Sequence, residues 1–260
     1  MIAVTKTMLY VTRPKKSLGQ HFLTDTHILA EIAQAAEIQP GETVIEVGPG
    51  TGTLTDTLLA AGAHVIAIEK DAALAAELKA KYQDNKNIEI VEADILTWDI
   101  ENSMKIENLK FKILGNIPYY LTSHLIKTVL QKWPSPDAIV FMIQKEVAKR
   151  MTAKPPEMNM LALLVQYYAT PTIIKIVKAG SFYPRPKVDS AIIRLVPRHE
   201  AWDMKHESFF KIAAAGFLHP WKKLANNLPL ELLEATGVNP NRRAETLTID
   251  EWKSLARIQN

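Results

Sequence analysis

Thr43-Val44-Ile45-Glu46-Val47 is a short, nearly all-apolar run followed at once by Gly48-Pro49-Gly50-Thr51-Gly52 and a helix-like stretch, Leu54 to Ala61. An apolar, β-branched run without polar alternation reads as a strand buried on both faces, the habit of parallel sheets. Parallel neighbours cannot be joined by tight turns, so helices must cross over between them, and the crossovers are right-handed. The following residues meet that requirement. His64 to Ile68 is a second strand ending at Glu69, Asp71 to Tyr82 an Ala/Leu/Lys-rich helix, and Ile88 to Val91 a third strand before Glu92-Ala93-Asp94. Phe111 to Leu114 and Ala138 to Ile143 are the fourth and fifth strands, with a helix from Thr122 to Gln131 between them. Upstream, Gly19-Gln20-His21-Phe22-Leu23 leads into a helix, Asp25 to Ala36, that ends before Pro40-Gly41. The expected class is α/β.

Beyond Gln144 the pattern changes. Glu146 to Met151 and Met158 to Tyr168 read as helices around a Lys154-Pro155-Pro156 loop. Thr172 to Val177 and Ser190 to Val196 read as strands that close the sheet with an antiparallel edge. From His199 onward the chain is expected to be helical, over Glu207 to Leu218, Trp221 to Asn227, Leu230 to Ala235 and Ile249 to Arg257. This places a boundary near residues 198–205, between a large domain over 1–200 and a small all-α domain over 201–260.

The glycine loop sits where a strand hands over to a helix. Glycines let the backbone approach a ligand, and the helix N-terminus favours negative charge. Glu69 follows Gly48 by 21 residues, at the end of the next strand, where a carboxylate can accept both ribose hydroxyls. Asp94, at the end of the third strand, is placed to accept an adenine amino proton. A dinucleotide dehydrogenase needs the same parts. Two details lean away from it: the spacing is G-x-G-x-G rather than G-x-G-x-x-G, and no hydride-handling His or Lys/Tyr pair stands out.

A second loop, Leu114-Gly115-Asn116-Ile117-Pro118-Tyr119-Tyr120, leaves the carboxyl end of the fourth strand. Its Asn offers one acceptor and one NH₂ donor, its proline fixes the turn, and an adjacent aromatic presents a flat apolar face. That set suits an exocyclic amine on a planar heteroaromatic base, although Asn and Pro are also ordinary turn residues.

Charge separates along the chain. Residues 1–23 hold four basic and no acidic residues (+4), and 24–140 nine against seventeen (−8). Residues 141–198 hold ten against three (+7), and 199–260 eight against eight. An acidic block flanked by basic ones suggests a basic surface for a polyanion, made by the arm and the middle of the chain. With no cysteine there is no disulfide framework and no thiolate site, and the seven histidines lack metal-ligand spacing, so no metal is expected. No apolar run approaches the roughly 20 residues of a membrane span. The basic arm lacks a secretory apolar core; an organellar presequence is the alternative to a cytoplasmic chain.

Taken together, Glu46-Val-Gly-Pro-Gly-Thr-Gly52, Glu69, Asp94 and Asn116-Ile-Pro-Tyr119 resemble, in order, the motifs of S-adenosylmethionine-dependent adenine-N6 methyltransferases. Lys16-Ser-Leu-Gly-Gln-His-Phe-Leu23, Gln144 to Arg150, Phe182-Tyr-Pro-Arg-Pro-Lys-Val-Asp-Ser190 and Arg243-Ala-Glu245 narrow this to a resemblance to the KsgA/RsmA family. That family dimethylates two adjacent adenosines near the 3′ end of small-subunit ribosomal RNA. The related Erm enzymes, which act on one large-subunit adenosine, share much of the pattern. The resemblance implies a Rossmann-like class I methyltransferase domain with a mostly parallel seven-stranded sheet, a helical RNA-binding domain over 201–260, S-adenosylmethionine as cofactor, and ribosomal RNA within the small subunit as partner. It implies a monomer without metal or membrane. By position, Gln20, His21, Leu23, Gly48 and Gly50 belong to the cofactor site, with Glu69 on the ribose, Asp94 on the adenine and Asn116 on the target amine. Asn116 and the Ile117 carbonyl are expected to handle the amine, and Tyr119 and Phe182 to sandwich the flipped base. Two departures stand out: His21 replaces the usual Asn, and Phe217-Leu-His-Pro-Trp-Lys-Lys223 replaces a more basic helix, which puts that segment's grip on RNA in doubt. A DNA adenine or protein-glutamine methyltransferase is disfavoured by Ile117 and the arm motif. A non-catalytic RNA-binding assembly factor on the same fold is the rival from another class.

Overall fold

A computed structural model of the chain describes residues 20–104, 110–202 and 206–258; the basic residues Lys6, Arg13, Lys15 and Lys16 lie outside them. The elements in order are β1 (Phe22–Leu23), α1 (Thr26–Ala35), β2 (Thr43–Val47), α2 (Thr53–Ala60), β3 (His64–Glu69), α3 (Ala72–Lys81), β4 (Ile88–Glu92), α4 (Ile100–Met104), β5 (Phe111–Asn116), α5 (Thr122–Lys132) and β6 (Ala138–Gln144). Then come α6 (Lys145–Met151), α7 (Met160–Tyr168), β7 (Ala169–Val177), β8 (Phe182–Tyr183), β9 (Ser190–Pro197), α8 (His199–Trp202), α9 (Glu207–Gly216), α10 (Leu230–Ala235) and α11 (Ile249–Arg257).

Seven strands form one sheet in the order β4-β3-β2-β5-β6-β9-β7, and β1 pairs with β8 in a separate two-stranded ribbon. β2 through β6 are parallel to one another, and β9 runs antiparallel to β6, as the late strands implied. The five parallel strands are apolar because helices cover them: Val44, Ile45, Ile113, Leu114, Ile139 and Val140 are fully buried. α1 and α3 start where the sequence provides caps, Asp25 accepting from the His27 amide and Asp71 from the Ala73 amide at 3.1 Å each. Strand order reverses between β2 and β5, and at such a switch point the loops at the carboxyl ends diverge and leave a crevice.

By contacts the chain divides into two compact units, one running to Lys145 and adding Ile173–Leu195, the other taking Glu146–Thr172 and everything from Val196. The boundary expected near residue 200 gave α7 to the first part; instead this helix, buried at Ala162, Leu163, Val165, Tyr167 and Tyr168, packs with α9 and α11. Tyr167 lies 4.4 Å from Phe209 by ring centroids, and Trp252 of α11 is fully buried. The helix expected over Trp221 to Asn227 is reduced to a 3₁₀ turn, Leu224–Asn226. Its amides are used elsewhere: Leu224 N donates to Arg242 O at 2.8 Å and Ala225 N to Pro240 O at 3.1 Å. Among the described residues no helix is long and apolar enough to cross a membrane.

Candidate active site

A cleft opens at the carboxyl edge of the sheet, at the β2/β5 switch. Its floor is the glycine loop. Gly48, Gly50 and Gly52 have φ of +66°, +60° and +79°, a region that other residues enter only with strain. At Gly50 there is a second reason for glycine, since a Cβ would lie 3.0 Å from the Phe22 ring. At Gly48 a Cβ would meet nothing within 4 Å, so this backbone faces open space in the cleft.

Glu69, at the end of β3, ties that loop to the next helix. Its carboxylate accepts from Gly50 N at 3.1 Å through one oxygen and from Asp71 N at 2.9 Å through the other. Burial pushes the Glu69 carboxyl above the usual range, against the pull of those amide bonds. Asp94 accepts from Lys70 Nζ at 2.7 Å and from Leu96 N at 3.0 Å. Burial raises its carboxyl, but the Lys70 and Leu96 bonds prevail and hold it below the usual range.

The opposite wall is the loop after β5. Ile117 N donates to Met142 O at 3.0 Å, which fixes the turn onto β6, and Ile117 itself is buried. Asn116 Nδ2 donates to the His21 main-chain oxygen at 2.9 Å. His21 Nδ1 lies 2.6 Å from Pro184 O, and the His21 ring stands 5.7 Å from the Tyr119 ring at 31°. Thus the end of the arm, the Asn116 loop and the segment after β8 are fastened to one another.

Gln20, His21, Leu23, Gly48, Gly50, Glu69, Asp94, Asn116, Ile117 and Tyr119 all line this one cleft. Phe182 does not. It is 4% exposed and packed in the core with Leu23, Val177 and Ile192, because β8 pairs it with Leu23 of β1. In this structure its ring has no open face for a base, and the exposed neighbour is Tyr183. Two residues to which the sequence motifs assign no role also belong here. Glu46, a carboxylate inside an apolar strand, lies in the cleft wall and accepts from Thr55 Oγ1 at 2.7 Å. Ser190, fully buried, shares a 2.8 Å hydrogen bond with the Tyr119 hydroxyl. The first is signalled by a charge within a buried run; the second closes the Phe182 to Ser190 motif, which gives no hint of its partner.

A family model described as ribosomal RNA adenine dimethylase matches residues 11–260. The chain belongs to the ribosomal RNA adenine dimethylase family. Among its relatives is a ribosomal RNA small subunit methyltransferase A from Dehalococcoides mccartyi, 40% identical over 98% of this chain and 92% of that protein. The enzyme of the same description from Alkaliphilus metalliredigens is 37% identical over 95% and 92%. Of solved structures, a dimethyladenosine transferase from Plasmodium falciparum superposes with a TM-score of 0.78 at 26% identity, covering 90% of this chain and 95% of that one. The 23S rRNA methyltransferase ErmE gives 0.74 at 28%, covering 91% and 98%. Both fold class and family therefore agree with the sequence motifs. Because the dimethyladenosine transferase and ErmE superpose almost equally well, the dimethylase fold by itself does not select the RNA; the two sequence relatives named above are small-subunit enzymes.

Proposed function

We propose that this dimethylase transfers methyl groups from S-adenosylmethionine to N6 of two adjacent adenosines in a loop near the 3′ end of small-subunit ribosomal RNA, acting as a monomer in the cytoplasm. The observation that carries the reading is the hydrogen bond from Asn116 to His21 O. A carbonyl oxygen accepts only, so the amide must turn its NH₂ end to the arm, and Oδ1 is left as the acceptor at the cleft. An acceptor beside an aromatic ring is what an adenine amino group needs.

The residues present suit the cofactor. Open space over Gly48, a carboxylate at Glu69 with lone pairs beyond its two amide bonds, and Asp94 beside apolar Ile95 and Leu96 match a ribose and a planar base. Gln20, His21 and Leu23 would close the arm side, and Gly48 and Gly50 the floor. When bound, S-adenosylmethionine supplies an electrophilic methyl group. The chain supplies placement. Adenine N6 is a poor nucleophile because its lone pair is delocalised into the ring. For the first methyl, Asn116 Oδ1 and the Ile117 carbonyl each accept one N6 hydrogen; for the second, the single remaining hydrogen is accepted by one of them. These bonds draw the nitrogen toward tetrahedral geometry and turn its lone pair to the glycine-loop side, and after each transfer the surplus N6 proton passes to water. Tyr119 stacks on the base, worth about 1–3 kcal/mol, and an unpaired loop adenosine is the cheapest to extrude.

The test is incubation with labelled cofactor and unmethylated small or large ribosomal subunits, followed by mapping. Two adjacent dimethylated adenosines in small-subunit RNA are expected; label confined to large subunits transfers the reading to the Erm type. Asn116→Ala should lower the single-turnover rate by about 10²–10³-fold while subunit binding persists. A near wild-type rate in that variant ends the mechanism.

A further inference from the structure

Tyr119 is held by two residues in two different ways. Its hydroxyl shares a 2.8 Å hydrogen bond with Ser190 Oγ, and Ser190 is fully buried on β9, opposite Gln144 of β6. The His21 ring packs beside the Tyr119 ring and tilted to it, centroids 5.7 Å apart and planes 31° apart. A tyrosine ring has two soft torsions, and these contacts restrain one each. The hydroxyl oxygen lies on the χ2 axis, so a bond to it fixes where the tip of the ring sits, which is χ1, and leaves rotation about χ2 free. That rotation is broad in an unhindered tyrosine. A second ring packed beside it restricts it.

Both restraining residues are themselves anchored. Ser190 opens β9 in register with the last residue of β6, so the sheet itself sets its place. His21 is gripped at two atoms, Nδ1 near Pro184 O at 2.6 Å and its main-chain oxygen by Asn116 Nδ2 at 2.9 Å. Burial pushes the Tyr119 phenol up, so its hydroxyl stays protonated and either oxygen of the pair can donate.

We propose that Ser190 and His21 are positioning residues for Tyr119, Ser190 fixing the tip of the ring and His21 restricting its rotation, so that the ring is pre-oriented for the incoming adenine. This rests on the reading of Tyr119 as the stacking ring. Pre-orientation acts on the rate more than on binding, because a base stacked at the wrong tilt is captured with N6 out of reach of Asn116.

The experiment is a double-mutant cycle on Ser190→Ala and Tyr119→Phe. Single-turnover methylation of unmethylated small subunits is read alongside subunit binding. Each single variant should lose about 5–10-fold in rate, the size of one neutral hydrogen bond, with binding within about twofold. The double variant should be no slower than either single one. Tyr119→Phe deletes the bond from its half-exposed end, so the cycle stays decisive if Ser190→Ala loses stability. Losses that multiply in the double variant, or a Ser190→Ala enzyme at wild-type rate, overturn the proposal. A second readout is independent of turnover. In protein with ¹³C-labelled tyrosine, the Tyr119 ring signals, assigned by their absence in Tyr119→Phe, should shift in Ser190→Ala and His21→Ala while the other tyrosines keep theirs. Unchanged Tyr119 signals in both variants overturn the proposal as well. Should the wild-type chain methylate no subunit, the proposed function falls, and the ring signals alone decide whether Ser190 and His21 hold Tyr119.

Discussion

Glu46 is a carboxylate inside an apolar strand, 1% exposed, with the Thr55 hydroxyl on one oxygen at 2.7 Å. Burial pushes its carboxyl up to about 8; the Thr55 bond opposes this, and the Asp56 and Glu69 charges add to it. A raised carboxyl pKa means the fold prefers the protonated form. Glu46 then contributes fully to stability below the ordinary carboxylate range, near 4.3, and loses that contribution as pH rises through about 8. Glu46→Gln keeps an acceptor for Thr55 and carries no charge. Its melting temperature should fall less than that of the wild type between about pH 5 and pH 8. Parallel curves for the two proteins would contradict the assignment. Glu69 is a different case, because its oxygens face backbone amides and the cleft. Glu69→Ala should weaken S-adenosylmethionine by about 1.5–3 kcal/mol, read by calorimetry; unchanged affinity would remove Glu69 from the ribose. The place of Glu69 and Asp94 at the cleft was legible in the sequence, since an acid at the end of an apolar run after a glycine loop is a local pattern. The Ser190–Tyr119 bond was not, because it joins residues far apart in the chain through a pairing that no local period encodes.

Among elements, the parallel strands were readable because burial on both faces leaves an unbroken apolar run. The β1–β8 ribbon was not. Two residues on each side give no period to detect, and Phe22 and Tyr183 are paired from distant parts of the chain. This ribbon also explains why Phe182, a candidate stacking ring by sequence, is found in the core. Leu23 opposite it, with Val177 and Ile192 beside it, encloses the ring. Phe182→Ala should therefore lower stability in denaturant unfolding by about 3–5 kcal/mol, and Phe182→Leu by less than about 1.5. An Ala variant of undiminished stability that captures subunits poorly would return the ring to the base-binding wall. The shortened helix near Leu224 has the same lesson in reverse. A plausible helical run gives up its amides to the Pro240 and Arg242 carbonyls, partners that the sequence does not reveal.

At the scale of the whole molecule, the basic excess over residues 141–198 was plain in the sequence, but its availability was not. Lys175 pairs with Glu31, Lys178 with Asp189, and Arg194 with Glu37, so three of the ten cations already face carboxylates. Lys149, Arg150, Lys154, Arg185 and Lys187 are exposed and form no ion pair among the described residues. A cation that already has a partner releases few counterions on meeting a phosphate, whereas one that faces only water contributes in full. Binding to unmethylated small subunits should therefore weaken steeply with salt. Replacing Lys149 and Arg150 together by Glu should reduce the log–log slope by roughly 0.7–0.9 for each phosphate that the pair neutralises in the wild type. Lys175→Gln should leave the slope nearly unchanged and serves as the control. The measurement is subunit affinity across a salt series for the three proteins. If Lys175→Gln flattens the slope as much as the double reversal, the ion pairs are not what sorts these cations, and the RNA-facing surface lies on the β7 side of the sheet instead.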